Sequence, residues 1–298
     1  MHKTILITGA NRGLGFAAAQ ALARAGHQLV MTSRDAARGQ AAAERIRAQQ
    51  PDAQVESINL DLSDLDSVRR FADAFASRYG QLDVLIANAA NLPEAREPAY
   101  TPGGRELTFA TNHLGHFLLA HELLPLMERA AQRSGEARLV VVSSRLHLPR
   151  SMGPETRFDF EDLDLRRNYH PMVAYKNSKL ANIWFTYEFD RRYGERGVRA
   201  NALCPGFVPA TAAANAKRFQ RFMFTQILAR MPFARTLESA VATYSYVATD
   251  PALRGVGGKF FAEKLIIPSS PESYDKSKAS RLWQISEQLV SAERSAVL

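Results

Sequence analysis

Along the first half of the chain, short β-branched apolar runs alternate with longer Ala-rich stretches whose apolar positions recur at helical spacing. The runs at 4–8 (TILIT), 27–33, 55–60, 82–88 and 137–144 predict strands, and 13–25, 35–49, 63–79 and 104–133 predict helices. The strands are almost continuously apolar. That pattern belongs to a parallel sheet covered by helices on both faces, because such a sheet leaves no solvated side to be polar. Further on, the pattern predicts a helix at about 173–194, a strand at 198–203, a helix at about 236–249 and a last strand at 259–261. The expected architecture is therefore α/β, a doubly wound parallel sheet of seven strands. Capping residues mark the helix starts: Asp35, then Ser63 or Asp64, then Thr236 with Ser239 nearby. Segments 148–171, rich in Pro, Asp and Arg, and 205–235 break the alternation and read as loops or short helices beside a site.

Composition narrows the class. The chain has 298 residues, within the range that large α/β folds fill as one domain. Hydrophobic residues make up 46%, but 46 residues are Ala and the mean hydropathy is −0.23, a soluble globular balance. No apolar run approaches the roughly 20 residues of a membrane span, and the start of the chain lacks a signal-peptide pattern. Secretion and membrane integration are therefore not expected. Cys204 is the only cysteine, which excludes an intramolecular disulfide and a multi-cysteine metal site, and a cytoplasmic location is expected. The net charge of +8 rests on 30 Arg and 8 Lys against 30 acidic residues. These are scattered singly and in pairs without a basic tract, so nucleic acid is not an expected partner.

Directly after the first strand comes TGANRGLG. Gly9, Gly13 and Gly15, with Asn11, Arg12 and Leu14 between them, open the first helix. Glycines there allow a sharp turn and close approach to a pyrophosphate, which the helix N-terminus stabilises. At the end of the second strand an acidic residue would read a ribose hydroxyl and a basic one a 2′-phosphate. The sequence has Ser33 and Arg34, with Arg12 in the glycine turn, and two guanidinium groups suit a phosphate. Asp35 reads as a helix cap. NADP(H) is expected over NAD(H). Asp61 and Leu62 follow the third strand, where Asp61 suits an adenine contact or a cap. Asn88 and Ala89 end the fourth, where Asn88 suits a ligand edge or a bond to neighbouring loops.

AYKNSK places Tyr175 and Lys179 four residues apart on one face of a predicted helix. A phenol titrates near ~10 and is a poor base at neutral pH unless a nearby cation stabilises phenolate. Lys179 is spaced to be that cation, and Tyr175 could then exchange a proton with a substrate oxygen. A second pair at this spacing, Tyr274 and Lys278, follows the last strand without a partner hydroxyl and reads as a surface coincidence. Ser144 ends the fifth strand, and Asn112 lies in the helix before it.

Taken together, TGANRGLG, Asp61, Asn88, Asn112 in NHLGHF, Ser144 in VVVSS, Tyr175 with Lys179, and Pro205 with Gly206 resemble the short-chain dehydrogenase/reductase family along essentially the whole chain. Within it, NHLGHFLL, YKNSKLANIWFT and KASRLWQISEQLV are most similar to the retinol dehydrogenase and light-dependent protochlorophyllide reductase branch. The resemblance implies a single Rossmann-type dinucleotide-binding domain over 1–298, with substrate-side segments 148–171 and 205–235 and a C-terminal extension, 262–298. It implies that Ser144 holds the substrate oxygen and Tyr175 is the acid/base. Lys179 would bind the nicotinamide ribose and lower the phenol pKa, and Asn112 would position a water in a proton relay. Pro205, Gly206 and Val208 would join the cofactor contacts. The implied reaction interconverts a carbonyl and an alcohol on a fairly apolar small molecule, using NADP(H). Light-driven reduction of a tetrapyrrole double bond and a catalytically silent NADPH-binding module are the alternatives.

Two departures stand out. The family's NNAG reads Ala87, Asn88, Ala89, Ala90, which puts the adenine-side packing in question. Ala210 occupies the usual Thr position after Pro205 and Gly206, with Thr211 one place later.

Other features read as structural. His113 and His116 have helical metal-ligand spacing, with His121 following, but no carboxylate or cysteine matches them, and no metal is expected. Cys204 reads as a small hydrophobe. The stretch 212–235, basic and interleaved with aromatic and aliphatic residues, reads as a lid or core-packed helix. Peripheral membrane contact and homodimerisation are left open.

Overall fold

A computed structural model describes residues 2–209, 230–231 and 234–295 of the chain. Among them the elements run β1 (Thr4–Ile7), α1 (Gly13–Arg24), β2 (Gln28–Ser33), α2 (Ala36–Gln49), β3 (Val55–Asn59), α3 (Leu65–Arg78), β4 (Val84–Ala87), the short α4 (Leu107–Phe109), α5 (Gly115–Ser134), β5 (Ala137–Val142), α6 (Pro171–Tyr193), β6 (Val198–Cys204), α7 (Leu237–Thr249), β7 (Lys259–Ala262), β8 (Leu265–Ile266) and α8 (Lys276–Ser295). The strand order is β3-β2-β1-β4-β5-β6-β7-β8. β1 through β7 are parallel, with Ile5 opposite both Leu29 and Val84. Among the described residues the sheet has eight strands rather than the expected seven. The eighth is a two-residue antiparallel return, pairing Phe261 with Ile266 and Ala262 with Leu265, and it is too short to leave a periodic signal.

Alternation along β1 divides the core between two layers. Ile5 and Ile7 pack with Ala18, Ala19 and Leu22 of α1, Ile46 of α2, and Tyr244 and Val247 of α7. Leu6 faces the other way, into a larger layer built from Phe71 and Phe75 of α3, Phe117 and Leu119 of α5, Trp184 of α6 and Trp283 of α8. The direction of winding reverses between β1 and β4. In open parallel sheets, the carboxyl ends beside such a reversal are where ligands bind.

Helix starts follow the local chemistry. Asp35 caps α2 by accepting from Arg38 N at 3.0 Å, Asp64 caps α3 and Thr236 caps α7. The run at 104–133 is not one helix. It begins as α4, widens into a π-turn at Ala110–Leu114 and only then continues as α5. Hydrophobic spacing cannot distinguish a π-turn from an α-turn, because both keep apolar residues on one face.

Segment 148–171 is fastened to α6: Asn177 donates to Arg157 O and accepts from Arg157 N (2.9 and 3.1 Å), and Lys176 Nζ donates to Pro154 O at 2.6 Å. α8, in the C-terminal extension, packs Trp283 against Phe117 at 5.0 Å between ring centroids. No described helix is long and apolar enough to cross a membrane. Most of 212–235, together with Ala210 and Thr211, lies outside the described residues.

Candidate active site

The site is assembled at the carboxyl ends of β1, β2, β4, β5 and β6. At β1 the chain turns through Thr8–Arg12 into α1, and Gly9 and Gly13 take positive φ angles of 64° and 59°. A side chain would strain either position. At Gly15 the obstacle is proximity, since a Cβ there would stand 2.5 Å from Asn88 Nδ2 and 2.7 Å from Gly9 O. Arg12 is the N-cap of α1 but makes no side-chain capping bond, and the first turn holds no acidic residue. The cap and first turn of α1 thus supply no side-chain anion of their own, unlike the capped starts of α2 and α3. Exposed Arg12 and half-buried Asn11 and Leu14 line this turn. A glycine-rich turn at a helix start whose cap and first turn hold no carboxylate fits the pyrophosphate of a dinucleotide.

The turn is braced from both sides. Thr32, at the end of β2, accepts Ala10 N through its carbonyl (3.0 Å) and Gly9 N through its hydroxyl (3.4 Å). From β4, Asn88 donates Nδ2 to Thr8 O (2.8 Å), while its own N–H and that of Ala89 donate to Thr8 Oγ1, each at 2.9 Å. Tyr244, fully buried on α7, donates its hydroxyl to Asn88 Oδ1 at 2.8 Å. Asn88 therefore serves as a bracket between loops. Thr8 and Tyr244 were not foreseen as site residues: Tyr244 carries no local sequence signal, because only the sheet brings α7 over β4.

Arg34 is exposed, and its side chain makes no ion pair or hydrogen bond among the described residues. Asp35 beside it is occupied by its cap and by Arg38. Ser33 is buried, and its hydroxyl accepts Asp35 N at 3.2 Å. Asp61 is half-buried and turns Oδ1 onto Ser63, accepting from its N–H (2.9 Å) and its hydroxyl (2.6 Å). Leu62 is buried. The cap reading of Asp61 gives way: Asp64, three residues later, is the helix cap, and Asp61 closes the turn ahead of it.

The candidate acid/base residues meet where α6 crosses β5. Lys179, 2% exposed, donates Nζ to Val142 O at 3.0 Å, and Ser143 Oγ donates back to Lys179 O at 2.8 Å. Ser144 follows directly, and its Oγ accepts Leu146 N at 3.2 Å. Lys179 Nζ stands 5.3 Å from the centroid of the Tyr175 ring. Burial lowers the Lys179 ammonium to about 8, with Cys204 nearby working in the opposite direction. Burial raises the Tyr175 phenol above its ordinary value, and Cys204 adds to the rise. Within the chain itself the phenol is thus raised, against the lowering expected from Lys179, because burial disfavours the phenolate.

Asn112 sits fully buried in the π-turn. Its Oδ1 accepts Asn91 N (2.6 Å) and its Nδ2 donates to Asn91 O (2.9 Å) and Ser178 Oγ (3.0 Å). Ser178 in turn donates to Tyr175 O at 2.7 Å, so Asn112 is tied to the turn of α6 that carries the tyrosine. On β6, Cys204 Sγ accepts Arg145 N (3.3 Å) and Gly206 N (3.4 Å), which joins the ends of β5 and β6. Half-buried Pro205, Gly206 at φ 78° and buried Val208 follow it.

The three helix-spaced histidines do not converge. His116 Nε2 meets Thr8 Oγ1 at 2.8 Å, His113 Nε2 meets Ser286 Oγ at 2.9 Å, and His121 stacks on Phe117. Tyr274 is 54% exposed and Lys278 pairs with Glu272, as expected for a surface pair, although the Tyr274 hydroxyl accepts Ser269 N.

Residues 3–152 match the family model described as short chain dehydrogenase. The human WW domain-containing oxidoreductase is 38% identical over 97% of this chain and 68% of that protein. Mouse retinol dehydrogenase 14 is 37% identical over 97% of this chain and 86% of that protein. An uncharacterised protein from Mycobacterium paratuberculosis shares the fold at a TM-score of 0.72, with 35% identity over 97% and 93% of the two chains. A Beutenbergia cavernae structure titled as an NAD(P)-dependent gluconate 5-dehydrogenase, with NADP bound at low occupancy, has a TM-score of 0.65 and 27% identity over 88% and 94%.

Proposed function

The chain belongs to the short-chain dehydrogenase/reductase family, and from that premise we propose that it interconverts a carbonyl and an alcohol on a fairly apolar small molecule, with NADP(H) as cofactor. The observation that carries the reading is the cross-tie at Lys179, which bonds the end of β5, two residues before Ser144, while facing the Tyr175 ring. It supports a shared station for a hydroxyl, a phenol and a cation.

Bound NADPH supplies a hydride at the carbonyl carbon. Ser144 Oγ holds the substrate oxygen, and Tyr175 gives that oxygen its proton in reduction and takes it back in oxidation. Burial keeps Tyr175 a phenol in the free protein, which suits the donor role. Lys179 supplies the positive charge that makes departure of the phenolic proton less costly, and its N–H groups suit the ribose hydroxyls. The glycine turn and α1 would hold the pyrophosphate, with Arg12 and Arg34 at the 2′-phosphate. The names of the retinol dehydrogenase relatives support an apolar alcohol or aldehyde.

Tyr175→Phe tests the reading: NADPH oxidation with an apolar aldehyde should fall by about 10²–10⁴-fold while NADPH binding, followed by nicotinamide fluorescence, stays near that of the wild type. Undiminished turnover would remove the tyrosine from the mechanism.

A further inference from the structure

Behind Ser144 lies a buried polar cluster that the proposed chemistry does not use. His147, 1% exposed, sits one turn after Ser144, and its Nδ1 bonds Ser144 O, which also accepts the His147 backbone N–H at 3.3 Å. On the far side of the ring, Nε2 accepts Ser270 N at 3.2 Å. A carbonyl oxygen can only accept and a backbone N–H can only donate. The two bonds therefore require one form of the ring, neutral with the proton on Nδ1. Burial lowers the pKa of this histidine, in keeping with a neutral ring. Phe260 closes the edge of the ring at 5.2 Å between centroids.

Ser270 belongs to the turn at 269–274, which is itself bound to α6. Ser269 Oγ bonds Tyr187 Oη at 2.7 Å and Ser273 Oγ at 2.6 Å, Ser273 Oγ donates to Ser270 O at 2.6 Å, and Trp184 Nε1 donates to Glu272 O at 3.1 Å. Tyr187 and Trp184 lie on the same helix as Tyr175 and Lys179. The turn thus touches both halves of the site: Ser144 through His147, and the tyrosine helix through Tyr187 and Trp184.

Resting on the proposed reaction, we infer that His147 is a positioning residue for Ser144, which it locks to the 269–274 turn and, through that turn, to the helix carrying Tyr175. The C-terminal extension then serves as the back wall that sets the distance between the serine hydroxyl and the phenol. A misplacement of about 1 Å at such a station can cost on the order of 10²-fold in rate.

Three variants and one spectroscopic measurement test this. His147→Phe keeps the ring and loses both bonds; kcat for NADPH-dependent reduction of an apolar aldehyde should fall by about tenfold or more, with the dissociation constant for NADPH within about twofold of the wild type. His147→Asn can return a donor to Ser144 O and should recover part of the lost kcat. Tyr187→Phe, remote from Ser144, should lower kcat in the same sense but less. Unchanged kcat in His147→Phe, or no recovery in His147→Asn, would overturn the role. In the wild-type protein, ¹⁵N-histidine NMR should find His147 with its proton on Nδ1. A proton on Nε2 would overturn the tie whatever the turnover, and this measurement stands even if His147→Phe fails to fold. Failure of the wild type to oxidise NADPH with any aldehyde would instead count against the proposed reaction, leaving the tautomer to judge the tie.

Discussion

Lys179 carries the sharpest consequence at the scale of one residue. Its ammonium is buried and titrates near about 8 rather than 10.5, while Tyr175 remains a phenol far above that pH. In the reductive direction the first alkaline loss of kcat/KM should therefore fall near pH 8, as the cation needed beside the phenol deprotonates, since kcat/KM reports groups of the free enzyme. Lys179→Arg should lower the rate and carry this limb to higher pH, because a guanidinium holds its proton there. A limb unmoved in that variant would assign it elsewhere. Tyr175, Lys179 and Ser144 were legible as residue types at known spacings. The bond from Ser143 to Lys179 O and the bonds from Asn112 to Asn91 and Ser178 were not, since each forms only when two elements meet. The raised phenol likewise depends on how much water the fold removes, which spacing cannot report.

Among the elements, the stretch over Ala110–Ser134 keeps a helical apolar pattern but not a uniform helical form. Its apolar spacing identified a helix, yet the π-turn at Ala110–Leu114 resets the register so that Asn112 reaches Asn91. The same stretch buries His113 and His116 and half-buries His121. Desolvation lowers His113 to about 3 and His116 and His121 to about 4. Below pH 6.5 the unfolded chain takes up protons at these positions while the folded chain does not. Their neutral burial therefore costs nothing at neutral pH and is penalised progressively as the pH falls from 6.5 toward 4. Urea midpoints should drop steeply across that window. His121→Phe, which keeps the aromatic contacts with Phe117 and Trp283, should flatten the drop by removing one protonation site; an equal slope in the variant would refute the assignment. α8 is not among the predicted elements; its apolar face, led by Leu282 and Trp283, finds its packing only where α6 and α3 lie beside it.

For the whole molecule, the eight-stranded sheet places its reversal between β1 and β4, so that the glycine turn, Asn88 and the ends of β5 and β6 share one edge. A ligand gripping that edge stabilises the folded chain in proportion to RT ln(1 + [L]/Kd). With Arg34 exposed and lacking an ion-pair partner among the described residues, saturating NADPH should raise the thermal midpoint more than the same concentration of NADH. Arg34→Glu should reverse the order. Equal shifts in the wild type would assign the 2′-phosphate no partner here.

The sequence by itself determined the seven parallel strands and the helices between them, the glycine turn and the order of the serine, tyrosine and lysine. These follow from periodicity and from residue types whose spacing is local, within one strand, turn or helix. Tertiary structure decided the eighth strand, the π-turn, the Tyr244–Asn88 bracket, the direction of the phenol's titration and the link from Ser144 through His147 to Ser270. Each joins groups up to 156 positions apart, as in Tyr244 and Asn88, and hydrogen bonds and desolvation at that range exist only once the layers have closed.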